Sequence, residues 1–262
     1  MTTTEPLRVM TFNVLQMDGG DGAHSWECRR ELLADTIRLH RPHLLGTQEI
    51  FPEQTEFLLE KVQEFDCFGQ GRFGDNRDKH NKIFFDRNRF TLIESGDLWF
   101  SRTPDIPGSS DWEIPRPRMI TWGRLRDQSG SDVLMMNTHL PYGRIAGEAR
   151  HESALVVLRQ IAALAPDLPL FLTGDFNSPA DGEIYQLLTG TLDDAWKTAE
   201  RTLGPEGTIH GFGRIAGRRI DWILHRNSGR TLAAETVTHT CGSLYPSDHY
   251  PVSATFLPGC AA

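Results

Sequence analysis

The stretch LPLFLTGDFNS, residues 168–178, starts as an apolar run of strand length and stops on a carboxylate, an aromatic ring and an amide: Asp175, Phe176 and Asn177. One acid at the end of one buried strand is most often a cap or a turn former. Five further segments follow the same plan. LRVMTFNVL (7–15) carries Asn13, HLLGTQEI (43–50) carries Gln48 and Glu49, and DVLMMNTHL (132–140) carries Asn137 and His139. RRIDWILH (218–225) carries Asp221, and in SDHYPVSATFL (247–257) Asp248 and His249 precede the apolar run. Alternation of apolar and polar residues alone would give half-buried strands. Polar residues repeated near the ends of six strands point instead to one functional edge.

Helical stretches lie between these runs. SWECRRELLADTIRLH (25–40) has Ser25 as a capping residue and Trp26, Leu33 and Ile37 at helical spacing, which directs Arg29 and Arg30 outward. PEQTEFLLEKVQEF (52–65) opens with Pro52 in the first turn. A third helix is expected within AGEARHESALVVLRQIAALA (146–165), and a short fourth, DGEIYQLLTG (181–190), ends at Gly190. Strands and helices alternate with neither a Gly/Ser-rich linker nor a tandem repeat. The expected architecture is therefore α/β: a four-layer α/β/β/α sandwich of two mixed β-sheets flanked by helices, as one domain over residues 1–262 with its core at about 7–257.

Lys plus Arg number 27 and Asp plus Glu 35, a balance of −8. Duplex binders usually show a basic surface, because phosphate contacts supply most nonspecific affinity, so nucleic acid is possible as a partner but is not indicated by charge. No run approaches the roughly 20 apolar residues of a membrane span. The opening MTTTEPLRVM lacks the regions of a signal peptide, which makes a cytoplasmic location the expectation. Cys28, Cys67, Cys241 and Cys260 are scattered without a CxxC pair and read as free thiols, mostly buried. Two irregular segments, 69–82 and 101–118, are long enough to be functional loops.

The polar endings suit one chemistry. Phosphoester cleavage needs a cation against phosphate oxygens, a group that orients or deprotonates water, and donors for the charge that grows in the transition state. Hard oxygen ligands select Mg²⁺ or Mn²⁺, which commonly take only one or two carboxylates. Glu49, Asp175 and Asp248 can supply such oxygens, while Asn13, Asn177 and His139 can supply donors.

Taken in order, TFNVL, GTQE, NTHL, GDFNS, RIDWIL and SDHYPV resemble the successive motifs of the endonuclease/exonuclease/phosphatase superfamily, the deoxyribonuclease I-like proteins. The resemblance runs from about residue 7 to 257. It implies that Glu49 is the principal metal ligand with Asn13 beside it, and that Asp248 supports the metal site. Asp175 would align the attacking water, Asn177 would hold a phosphate oxygen, and His139 would act near the scissile phosphate. His249 would be the acid/base residue or transition-state donor, oriented by Asp221. Arg118 of PRPRMITW matches a phosphate-contacting arginine found in part of the superfamily. Relatives that cleave abasic DNA carry a further acid two residues after the asparagine. Here that place is Leu15, which favours a single tight cation.

Residues 24–49, 97–122 and 207–223 resemble a bacterial group distantly similar to the mRNA deadenylases. Asn81 and His210 are candidates for the substrate pocket wall. The expected activity is that of a Mg²⁺- or Mn²⁺-dependent phosphoesterase acting on a small or sugar-like phosphate ester. One alternative is a nuclease for RNA or single strands, in which Trp99, Trp112 and Trp122 stack bases; another is a catalytically silent binding module.

Overall fold

The computed structural model of the chain describes residues 5–143, 146–164 and 166–259. Seven strands form one sheet: β1 (Leu7–Asn13), β2 (Leu44–Gln48), β3 (Phe65–Phe68), β4 (Ile83–Asp86), β10 (Thr202–Leu203), β12 (Arg230–Thr236) and β13 (Val252–Leu257). Six form the other: β5 (Phe90–Trp99), β6 (Met119–Asp127), β7 (Asp132–His139), β8 (Leu170–Asp175), β9 (Asp193–Asp194) and β11 (Asp221–Arg226). The helices are α1 (Trp26–His40), α2 (Pro52–Lys61), α3 (Gly147–Leu164), α4 (Glu183–Thr189) and α5 (Ala195–Thr198). Strand order is β10-β12-β13-β1-β2-β4-β3 in the first sheet and β5-β6-β7-β8-β11-β9 in the second. Parallel β1–β2 and β7–β8 pairs make both sheets mixed.

The period of two along each strand builds the layers. In β8, Leu170 and Leu172 join Ala154, Val157, Ile161 and Leu188 in the core under α3 and α4, whereas Phe171 packs with Val9, Met135, Ile223 and Phe256 between the sheets. In β1, Val9 faces the second sheet, and Met10 and Phe12 meet Trp26, Leu33, Ile37 and Leu58 of α1 and α2. The result is the expected α/β/β/α sandwich. Among the described residues no helix is long and apolar enough to cross a membrane.

Between the sheets the apolar layer gives way to polar groups toward the C-terminal ends of β1, β2, β7 and β8. Gln48 Nε2 donates to Asn137 Oδ1 at 2.7 Å, and Asn137 Nδ2 donates to Thr47 O at 2.7 Å. Thr173 Oγ1 donates to Asn137 Oδ1 at 3.1 Å. Gln48, Asn137 and Thr173 are all fully buried. A methyl group added at Gly46 would collide with Thr173 Oγ1 and the Asn137 side chain, so this crossing point needs glycine.

Some local expectations are corrected by packing. Arg29 points inward and is fully buried, while Arg30 is exposed. Ser25 precedes α1, but its side chain makes no capping bond. Cys28 and Cys241 are exposed and Cys67 is half-buried, so the thiols are not mostly core residues; Cys260 lies outside the described residues. Trp99 is buried with Nε1 donating to Arg72 O, and Trp112 and Trp122 pack against the core under α3. Trp99 has no free face for a base.

At the opposite end of the strands, the buried His43 ring accepts the Arg8 backbone N–H at Nδ1 (3.0 Å) and lies beside the Arg8 and Arg89 guanidiniums. Burial first, then those two charges, lower its pKa from 6.5 to about 3. An unfolded chain binds this proton at about 6.5 and the folded one does not, so stability is complete above 6.5 and declines as pH falls toward 3. His43→Gln is expected to lessen the fall in urea-unfolding free energy between pH 7 and pH 4, and a wild-type slope in the variant would refute this account.

Candidate active site

The register of the second sheet sets three polar side chains in a row. His139 at the end of β7 is the partner of Asp175 at the end of β8, and Asp175 is the partner of Asp221 at the start of β11. The first sheet supplies the rest: Asn13 ends β1, Glu49 follows β2, and Asp248 and His249 precede β13. His249 Nδ1 donates to Asp221 Oδ2 at 2.9 Å. Ligand-type atoms of Asp175, Asp221 and His249 lie within 4.8 Å of one another. Asp175 accepts Asn13 Nδ2 and the Asn177 backbone N–H, each at 3.0 Å, and its Oδ2 lies 3.4 Å from His139 Nε2. Asn177 Nδ2 also donates to Leu140 O at 3.0 Å, which leaves one amide hydrogen for an incoming oxygen.

Backbone shape contributes as much as register. Leu15, Glu49 and Asn177, each just past a strand end, have φ of 55, 64 and 48°. Non-glycine residues rarely adopt this left-handed conformation, and such residues gather at functional sites. In Asn13 the Oδ1 atom accepts the Leu15 N–H at 3.1 Å, which fixes the turn.

Charge in the cleft follows from burial and proximity. Burial opposes a charged His249, but the carboxylate of Asp221, aided by Asp175 and Asp248, raises its pKa to about 10. His249 is therefore an imidazolium at neutral pH. Burial, then the charge of Asp221, raises Asp175. Burial, then Arg118 and Lys79, pushes His139 well below its ordinary value, so this ring is neutral. A metal between Asp175, Asp221 and His249 would have to displace a proton already shared with Asp221.

Glu49, Asp248 and Asn13 form the more suitable oxygen set. Burial, then the like charge of Glu49, raises Asp248, whereas Glu49 is held low, against burial, chiefly by Lys79. Lys79 Nζ lies 2.7 Å from Glu49 Oε2. Two half-buried carboxylates close enough to repel suit a small hard cation, and the second lone pair of Asn13 Oδ1, which already accepts the Leu15 N–H, could add a third oxygen.

The peripheral candidates fall around this centre. Arg118, Asn81, Glu49 and His139 line one narrow cleft with Arg72 and Lys79. Asn81 is buried, and its Nδ2 donates to Met119 O at 3.0 Å. His210 lies behind Asp248, with its backbone N–H on Asp248 O at 3.0 Å and its ring stacked on Tyr250 at 3.9 Å. Burial, then His249, lowers its pKa to about 4. Lys79, Arg72 and Arg29 escaped sequence reasoning. The cations of the 69–82 loop were a usable signal in a chain of net charge −8, since Lys79 adjoins His80 and Asn81. Helical spacing gave no such signal for Arg29.

A His–Asp pair, a second carboxylate and further polar side chains thus converge at one edge of two stacked sheets. The chain belongs to the Endonuclease/Exonuclease/phosphatase family, whose model matches residues 10–249. The CCR4-Not complex 3'-5'-exoribonuclease subunit Ccr4 of Emericella nidulans is 22% identical over 283 residues, covering 80% of this chain and 42% of that protein. The chain thus spans about two fifths of the length of this relative. A family member from Bacteroides vulgatus superimposes with a TM-score of 0.90 at 28% identity, over 96% of this chain and 98% of that one. A mannosyl-6-phosphatase from Bacteroides thetaiotaomicron does so with a TM-score of 0.88 at 30% identity, over 95% and 98%.

If Asp221 is what holds the proton on His249, Asp221→Asn will lower the His249 pKa from about 10, measured by NMR titration of the imidazole. A raised histidine pKa gives stability that is complete below the unfolded value of 6.5 and lost as pH rises through about 10. The variant should therefore also flatten the alkaline fall in unfolding free energy. An imidazole still titrating near 10 would rule out this cause.

Proposed function

We propose that this chain is a divalent-cation-dependent phosphoesterase that hydrolyses a phosphate ester of a small, sugar-like molecule by attack of water. The observation that carries the reading is the meeting of the His139–Asp175–Asp221 row with His249 from the other sheet. Glu49, Asp248 and Asn13 would hold Mg²⁺ or Mn²⁺, which when bound neutralises phosphate oxygens and lowers the pKa of water.

The remaining work falls to the side chains. Asp175 accepts from Asn13 and the Asn177 backbone, and is placed to orient the attacking water and draw on its proton. The His249 imidazolium donates to a phosphate oxygen or the leaving oxygen as negative charge grows there, while Asp221 keeps its orientation. Neutral His139 and the free hydrogen of the Asn177 amide add donors, and Arg118 adds positive charge. Lys79 would leave Glu49 for phosphate when a cation takes its place.

The small-molecule reading is supported by the similarity to a mannosyl-6-phosphatase and by the space next to Arg118. A cavity of about 130 Å³ there is lined by Ile114, Pro115, Arg116, Arg118, Pro141 and Tyr142, the last of which is 76% exposed. This is well under the roughly 300–1,000 Å³ of drug-sized sites and suits a single ring. The similarity to a 3'-5'-exoribonuclease subunit favours RNA as the second reading.

A phosphoester panel spanning sugar phosphates, nucleotides, phospholipid head groups and oligonucleotides, with Mg²⁺ or Mn²⁺, decides between them. Sugar phosphates should turn over fastest, and EDTA should abolish turnover. Oligonucleotides cleaved faster than any small ester would select the ribonuclease reading, and no turnover on the whole panel would remove both. His249→Ala is expected to lower kcat by at least about a hundredfold, with Asp175→Asn similarly affected. Glu49→Gln should mainly shift the metal titration to higher concentration, and an unmoved titration would contradict its role.

A further inference from the structure

Arg29 presents a physical puzzle. It is fully buried in α1, yet among the described residues no carboxylate pairs with it directly. Its guanidinium instead meets four backbone carbonyls: Nη1 donates to Val14 O at 2.6 Å and Pro246 O at 3.0 Å, and Nη2 to Leu15 O at 2.6 Å and Gln16 O at 3.0 Å. A buried charge without a contact ion pair is unfavourable unless hydrogen bonds compensate it; here Nη1 and Nη2 are met while Nε has no partner among the described residues, so a residue kept there has a geometric task.

The four carbonyls identify that task. Three belong to the turn that follows Asn13 and includes left-handed Leu15. Gln54 Nε2 reinforces that turn by donating to Leu15 O at 3.0 Å. The fourth belongs to Pro246, immediately before Ser247, Asp248 and His249. A second strap runs in parallel, because Ser247 Oγ donates to Asn13 O at 2.6 Å. The two segments lie more than two hundred residues apart in the chain, and a planar fork with donors in fixed directions can span both where a lysine cannot.

We propose that Arg29 is a positioning residue for the cation site: from α1 it clamps the Asn13 turn and the Asp248 loop at one spacing, so that both residues present oxygen to one hard divalent ion. The inference rests on the reading of Asn13, Glu49 and Asp248 as the cation site. Charge alone would act the other way, since a fixed cation behind the ligands opposes a second cation. The geometric and electrostatic roles therefore predict opposite signs.

Calorimetric titration of Mn²⁺ into the substrate-free protein tests this. Arg29→Lys keeps the charge and loses the fork, and should bind Mn²⁺ about 10- to 100-fold more weakly, the usual effect of removing support behind a metal ligand. Arg29→Met should also bind more weakly. Circular dichroism checks that both variants are folded. Wild-type affinity in Arg29→Lys, or tighter binding in Arg29→Met, would overturn the proposal. Should both variants fail to fold, Ser247→Ala decides: removal of the parallel strap should weaken Mn²⁺ binding severalfold, and unchanged affinity would overturn the clamp. Wild-type protein that binds no Mn²⁺ would instead remove the cation-site reading itself, a result distinct from failure of the clamp.

Discussion

The buried contact between Gln48 and Asn137 is the constraint on which the rest of the molecule depends. Apolar contact between sheets is close-packed but not directional. An amide that donates at 2.7 Å across the interface to another amide, which in turn donates to Thr47 O, admits one relative placement. Each such bond adds only about 1 kcal/mol net, but an orphaned buried partner costs about 1–3 kcal/mol, so displacement is penalised at several groups together. Glu49 follows Gln48, and His139 lies two residues beyond Asn137 on the same face of β7. The bridge that fixes the sheets therefore also fixes the two sides of the cleft.

Above this bridge the molecule concentrates charge that it would otherwise avoid burying. Asp175 and Asp221 repel within a dry cleft, and the proton on His249 is their compensation. Glu49 and Asp248 repel nearby and are balanced in part by Lys79 and, through space, by Arg29. The two halves of the cleft thus solve the same problem in different ways, one with a proton held by a histidine and the other with the Lys79 contact and the more distant charge of Arg29. The proposed division between proton transfer and cation binding follows this asymmetry.

Much of this was legible in the sequence because strands expose their logic at a period of two. Phe171, Thr173 and Asp175 share one face of β8, and Met135, Asn137 and His139 share one face of β7, each grading from apolar to ionisable. Six strands with polar endings therefore announced a common edge, and α/β alternation announced the layers. Residues whose partners come from distant backbone were not legible. Arg29 sits at a helical position that the apolar spacing assigned to solvent, and only the meeting of residues 14–16 with Pro246 creates a reason for it to turn inward. Lys79 lies in a loop with no periodicity. Trp99 looked available for stacking because exposure of an aromatic next to a loop depends on tertiary packing.

The left-handed turns at Leu15, Glu49 and Asn177 place a further restriction on how such a molecule can change over generations. Valine, isoleucine and proline are poorly tolerated in that conformation, so substitution at those three points is filtered by backbone shape before any chemistry is considered.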